Sequence, residues 1–316
     1  MQVLTAIQTL LPFSIACALI VFIYGVCLRF RHTRQQRAIA AANASRGTTR
    51  HRGQVSLTSP NGRLNSPVVS MRRSMEGSLS WTLMMSMFLI EFLLDGTWLL
   101  ATHNRLCPYT GYIDYALAEL LMLVLVAMCV TSSLLILRPS SYKRIGTTRS
   151  SPVAMRAILV CMVLLAVTVA TLAVQTGAFG SSETSQCWFD TTQNDPSPVL
   201  VWFDYPNVVL TTISLGFMLV AVIGVGRKGQ TPDQGYLAAA LVANNLPYCL
   251  CYTVSEACFL VFNLIPTSDT VGVALMAVGC LRGVLMALIY IVTQVREARL
   301  KAAAEARRHV VVRSWA

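Results

Sequence analysis

Along this chain, polar and apolar residues fall in long blocks instead of alternating. Seven apolar stretches lie near 5–28, 80–102, 113–137, 153–177, 200–225, 236–263 and 270–294. Each approaches or exceeds the ~20 residues that a helix needs to cross a bilayer core. Runs such as LLMLVLVAMCV (120–130) show none of the period-two alternation of a half-buried strand. In lipid only a helix satisfies its own backbone N–H and C=O groups within one segment. The pattern therefore predicts an all-α membrane protein, a bundle of seven transmembrane helices. The first run begins without a basic n-region and is followed at once by RFRHTR (29–34), so it reads as a retained helix and not as a cleaved signal peptide.

Composition sharpens this picture. Apolar residues make up 55% and charged residues 12%, with a mean hydropathy of +0.59, where a soluble domain carries roughly a quarter charged residues. Ten Arg fall in 29–79, five Lys/Arg in 138–156, two in 226–235 and six from 296 onward, which is 23 of the chain's 25. A seven-helix count puts all of these on one face. Glu183, Asp190, Asp195 and Asp269 then lie in loops on the other. Basic residues in short flanking loops stay cytoplasmic, which predicts an exterior N-terminus and a cytoplasmic C-terminus in a plasma membrane or endomembrane. The net charge of +11 is then topology plus attraction to anionic lipids of the inner leaflet, and no nucleic-acid partner is implied. Eight of the ten cysteines fall inside the apolar spans. The other two, Cys107 and Cys187, fall in exterior loops, where disulfides persist. A Cys107–Cys187 bond is expected, with two unrelated thiols as the alternative.

The boundaries follow. Residues 1–28 form the first helix, and 29–79 a long basic cytoplasmic loop expected to be disordered because it lacks a core's worth of apolar residues. Residues 80–294 hold the second to seventh helices, and 295–316 a basic tail with an amphipathic helix on the membrane surface. Arg72-Arg73-Ser74 reads either as a basophilic kinase site or as a solvated retention signal. The Asn43-Ala44-Ser45 sequon should go unused in the cytoplasm.

Candidate chemistry is sparse. His32, His51, His103 and His309 all lie outside the spans, so no zinc or haem site of the usual His-bearing kind can be assembled in the bundle. The intramembrane acids Glu91, Asp95, Glu119 and Glu256 form no pattern of paired catalytic carboxylates. Neither an enzyme nor a cofactor is expected.

Several separate features resemble the rhodopsin-like (class A) G-protein-coupled receptors. Cys107 and Cys187 sit where that family has its disulfide, and 25 residues beyond Cys107 comes Ser132, at the place of the Arg in the family's Asp-Arg-Tyr. Arg138-Pro139-Ser140-Ser141-Tyr142 then resembles the second interior loop, with Pro139 and Tyr142 in register. Asn244-Asn245-Leu246-Pro247-Tyr248 resembles the Cys-Trp-x-Pro-Tyr kink motif, and Met286-Ala287-Leu288-Ile289-Tyr290 resembles Asn-Pro-x-Ile-Tyr; Pro206 lies where the fifth helix usually has a Pro. The likeness covers the third to seventh helices. Thr131-Ser132-Ser133 replaces Asp-Arg-Tyr, and the seventh helix lacks its Asn-Pro. Such erosion resembles the divergent seven-helix receptors of large DNA viruses, herpesviruses especially.

The resemblance implies a set of roles. Ser132, Pro139 and Tyr142 would face a heterotrimeric G protein, and Asn245, Pro247 and Tyr290 would form the activation hinge. Asp114, seven residues after Cys107, would receive a ligand cation, with Tyr115, Tyr248 and Tyr252 as cation–π walls; an interfacial Asp at a helix start is the alternative. An ion at the bilayer centre needs a partner. Arg282, mid-span in the last helix, is therefore expected to pair with Glu91 or Asp95, which share a face of the second helix at i, i+4. The reading that follows is a receptor-like protein with atypical coupling that signals constitutively or modulates partner receptors by association. A membrane scaffold acting on immune or trafficking proteins, and a transporter or channel, remain alternatives.

Overall fold

The structure, a computed structural model, describes residues 2–48, 79–101, 109–137, 151–177, 179–181, 187–189, 197–225, 232–264 and 269–314. Within them lie eight long helices: α1 (Gln2–Thr48), α2 (Leu79–Ala101), α3 (Tyr109–Leu137), α4 (Ser151–Gln175), α5 (Tyr205–Val225), α6 (Pro232–Leu264), α7 (Asp269–Cys280) and α8 (Arg282–Ser314). Between α4 and α5, strands β1 (Phe179–Ser181) and β2 (Cys187–Phe189) pair antiparallel, with Gly180 opposite Trp188. Six helices carry stretches long and apolar enough to cross a membrane. The α7–α8 pair passes the same test together but bends by 46°, so the count is six, or seven if that pair is one span.

Two boundaries differ from the sequence expectation. The first helix does not stop at residue 28 but runs on to Thr48. No Pro or Gly interrupts 27–45, and Ala38, Ala40, Ala41 and Ala42 among Arg and Gln are strong helix formers. A helix therefore continues through the first part of the expected 29–79 loop, and 49–78 lie outside the described residues. The tail likewise continues α8 without a break at 296.

The bundle is closed by α1 packing on α2, α7 and α8, by α2 on α3, and by α5 on α6; α6 in turn packs on α7 and α8. Helix α3 runs through the middle, touching α2, α4, α5, α6 and β2, while α4 lies on the outside against α3. The core gathers Phe88, Leu121, Met122, Leu125, Met128, Tyr248 and Tyr252. Where a neighbouring helix comes close, a small residue allows it: a Cβ on Gly224 would come within 3.0 Å of Ile136, so α5 meets α3 at a glycine. The polarity is the inverse of a soluble bundle's. Ser132, Ser133, Ser214 and Asn207 are buried, while Leu164 and Ile223 are about 60% exposed, as expected where the surrounding solvent is hydrocarbon.

One local irregularity follows directly from a single residue. Pro206 has no N–H to donate to the Trp202 carbonyl four residues back. The backbone widens there into a π-turn over Leu200–Asp204, in which the Tyr205 N–H reaches back to the Leu200 carbonyl. The Trp202 carbonyl instead accepts a hydrogen bond from the Tyr115 hydroxyl of α3. Tyr115→Phe should therefore lower stability by about 1–3 kcal/mol, the cost of an orphaned buried carbonyl; thermal unfolding in detergent against the parent measures it.

Candidate functional site

The buried interior of the described residues holds six carboxyl side chains, Glu91, Asp95, Asp114, Glu119, Asp204 and Glu256, and a single Arg, Arg282. Arg282 is the first residue of α8, directly after the bend at Leu281. That bend carries the side chain inward while the backbone ladder stays intact, with Leu281 N–H bonded to Ala277 and Leu285 N–H to Leu281, each at 2.9 Å.

Arg282 is 6% exposed and uses two edges of its guanidinium. Its Nε donates to Glu91 Oε1 at 2.8 Å, and its Nη1 to Glu256 Oε1 at 3.2 Å. The guanidinium also lies 5.0 Å over the centroid of the Tyr252 ring, a cation–π contact strengthened by desolvation. The Tyr252 hydroxyl closes the cage, 3.2 Å from Glu91 Oε2 and 3.1 Å from Met286 Sδ. Of the two acceptors the carboxylate is the stronger. Asn207 of α5 donates to Glu256 Oε2 at 3.4 Å. One cation thus joins α2, α6 and α8, and the outer oxygen of its second acid is held from α5.

Asp95, one turn from Glu91, goes elsewhere. It faces Ser14 of α1, whose Oγ accepts the Gly283 N–H at 3.0 Å. Accepting the Gly283 N–H, the Ser14 hydroxyl ties α1 to the start of α8 while it lies beside Asp95, whose Oδ2 has no hydrogen bond. A Cβ on Gly283 would run into Ser14 and lie 3.4 Å from Asp95 Oδ2. Gly283→Ala should separate α1 from α8 and lower the unfolding temperature, whereas Gly216→Ala in α5, where nothing lies within 4 Å of the added Cβ, should not.

The other sequence-derived residues divide into several places. The three tyrosines expected around Asp114 go to different neighbours: Tyr115 to Trp202 and Phe203, Tyr248 to Phe88, and Tyr252 to Arg282. Asp114 itself is fully buried beside Thr97, whose hydroxyl is committed to the Leu93 and Leu94 carbonyls, so neither carboxylate oxygen has a hydrogen bond. Asp114 is therefore buried and not wetted, and the ring contact with a cation goes to the protein's own arginine, through Tyr252. Tyr290 packs edge-on against Phe88, which also carries Tyr248 at 88°.

Ser132, expected to face a cytoplasmic partner, is buried: its hydroxyl donates to the Met128 carbonyl at 2.7 Å and accepts from Asn245 Nδ2 at 2.5 Å. The residue expected at the interior end of α3 and the one expected at the hinge of α6 therefore meet at one level. Pro247 lies inside α6. Pro139, Tyr142 and Cys107 lie outside the described residues, and only the backbone of Cys187 is described, in β2.

Sequence reasoning missed Glu256 as the second partner of Arg282, and missed Asn207 and Ser14 as supports. The available signal was that each is a polar residue in an apolar run, but a lone polar position does not reveal which way its helix is rotated. Among the described residues no group of three or more His, Cys, Asp or Glu side chains is placed to hold a metal ion. A comparison with models of known protein families finds no match, and a comparison with curated proteins finds none either.

Proposed function

We propose that this chain is a receptor-like seven-helix membrane protein, exterior at its N-terminus and cytoplasmic at its C-terminus. In this reading it signals without a ligand or modulates partner receptors by association within the membrane. The observation that carries the reading is Arg282. A cation belonging to the protein itself is buried in the bundle between two carboxylates and the face of one tyrosine ring, the kind of contact set a small cationic ligand would use. Activity then depends on whether α2, α6 and α8 stay clamped and not on an arriving agonist. Heterotrimeric G proteins and other membrane receptors are the proposed partners, and no catalytic step is proposed.

The test is basal G-protein activation by the unmodified full-length protein, measured beside Arg282→Lys. Lysine keeps the charge but not the two-edged fork, so the variant should remain delivered to the surface with altered basal activity. Equal and zero activation in both, across all G-protein classes, would leave only the partner-modulating branch, to be read from the abundance of co-expressed receptors. Topology is checked independently. A tag within 49–78 should be inaccessible to antibody on intact cells, and Asn43 should carry no glycan.

A second reading has its own support. Six buried carboxyls against one Arg are more than a structural clamp requires, and intramembrane acids also mark proton and cation paths. Proton or cation flux in proteoliposomes that is abolished by Asp114→Asn would favour a transporter.

A further inference from the structure

Away from the acidic centre, one end of the α1–α2 pair forms a groove of ≈ 550 Å³ lined by Phe22, Val26, Arg29, Phe30, Arg34 and, from α2, Trp81, Thr82, Met85, Ser86 and Leu89. That volume lies within the range of small-molecule sites. Its chemistry is graded along the helix axis. On α1, Phe22 and Val26 precede Arg29 and Arg34 at helical spacing, and on α2 the antiparallel order puts Leu89 and Met85 deep and Trp81 at the basic end. From Phe22 to Arg34 is twelve residues, about 18 Å of rise, which is roughly the depth of one leaflet's hydrocarbon plus its ester region. At the polar end the Arg29 guanidinium lies 4.6 Å over the Trp81 ring, an aromatic at the level where Trp settles in bilayers. Beside it the Thr82 hydroxyl, part of the same lining, has no hydrogen-bond partner.

We propose that this groove binds one molecule of an anionic phospholipid. An acyl chain lies along Phe22, Val26, Met85 and Leu89, the phosphate sits between Arg29 and Arg34, and the Thr82 hydroxyl donates to an ester or phosphate oxygen. A zwitterionic lipid would fill the apolar part but bring a cation to the two arginines. A free phosphate ester would meet the arginines but leave the apolar floor exposed. The gradient from apolar to cationic therefore selects chain and anionic headgroup together. The inference rests on α1 and α2 being embedded in lipid, and it holds whichever side of the membrane the basic ends face.

Trp81 supplies the readout. The purified full-length protein, in mild detergent, is titrated with phosphatidylglycerol brominated in the acyl chain, and quenching of tryptophan emission is followed. Saturable quenching is expected, absent in Trp81→Phe. Its midpoint should rise about 25-fold in Arg29→Gln/Arg34→Gln, from about fivefold for each arginine near a headgroup. Removing two charges elsewhere on the basic segment, Arg50→Gln/Arg52→Gln, should leave the midpoint within twofold. Ser86→Phe, which fills the floor and spares both arginines, should abolish the saturable phase. Three results would overturn the proposal: brominated phosphatidylcholine quenching with the same midpoint, equal weakening by the Arg50/Arg52 variant, or displacement by glycerol phosphate alone. They would indicate ordinary annular lipid, diffuse attraction and a bare phosphate site, respectively. None of these outcomes bears on G-protein activation, so the lipid site and the receptor reading stand or fall separately.

Discussion

Arg282→Met should lower the stability of the folded bundle by about 3–5 kcal/mol, the range seen when one partner of a buried ion pair is removed. The size follows from what remains. Glu91 would keep only the Tyr252 hydroxyl, and Glu256 only the long contact from Asn207, so two carboxylates would face hydrocarbon with their cation gone. A methionine of similar length preserves the packing volume on Tyr252, which isolates the loss of charge from the loss of bulk. Thermal unfolding of purified protein in a fixed detergent gives the number, and surface delivery in cells gives its biological reading. A drop below 1 kcal/mol would mean that the clamp is solvated or unformed.

Neutralising all three charges together, Arg282→Met/Glu91→Gln/Glu256→Gln, should recover most of that loss. Desolvating a cation and two anions offsets much of their mutual attraction, and replacing buried pairs with neutral groups of similar volume is often neutral or stabilising by about 1–4 kcal/mol. Each glutamine keeps a carbonyl for the neighbour already present, Tyr252 for residue 91 and Asn207 for residue 256. The triple variant is therefore expected to fold nearly as well as the parent and to show the changed basal signalling that marks an unclamped bundle. Recovery of stability together with parental signalling would assign the cluster to structure alone. Failure to recover would mean that the charges act separately, contrary to their shared geometry.

How much of this was legible beforehand differs from residue to residue. The lengths and positions of the apolar helices are in the sequence because a bilayer demands about 20 apolar residues per crossing whatever lies beside them. An arginine in such a run announces by its cost alone that it needs a partner, and the i, i+4 spacing put Glu91 and Asp95 on one face. Which of them faces Arg282 is not written there. It depends on the rotation of α2 and on the 46° bend before Arg282, and these give Glu91 to the arginine and Asp95 to Ser14. Glu256 was visible as an intramembrane acid but not as a partner, since nothing local in α6 points toward α8. The expected end of the first helix at residue 28 followed the hydropathy, whereas the chain followed helix propensity, which the alanines and arginines of 29–48 satisfy as well in water as in lipid.

Resemblance by motif did not foretell contacts between helices. Ser132 and Asn245 were expected in separate roles, one facing a G protein and one in the hinge of α6, yet they share a hydrogen bond of 2.5 Å. Matches made along the chain carry no information about the slide of one helix past another. Sequence by itself determined that this chain is a stack of membrane-length helices with its charge confined to the ends and to a few interior positions, because solvent exclusion acts on each segment separately. Tertiary structure alone decided which interior charges meet, because contacts between helices depend on rotation, bend and relative height, and these are set by packing the whole bundle at once.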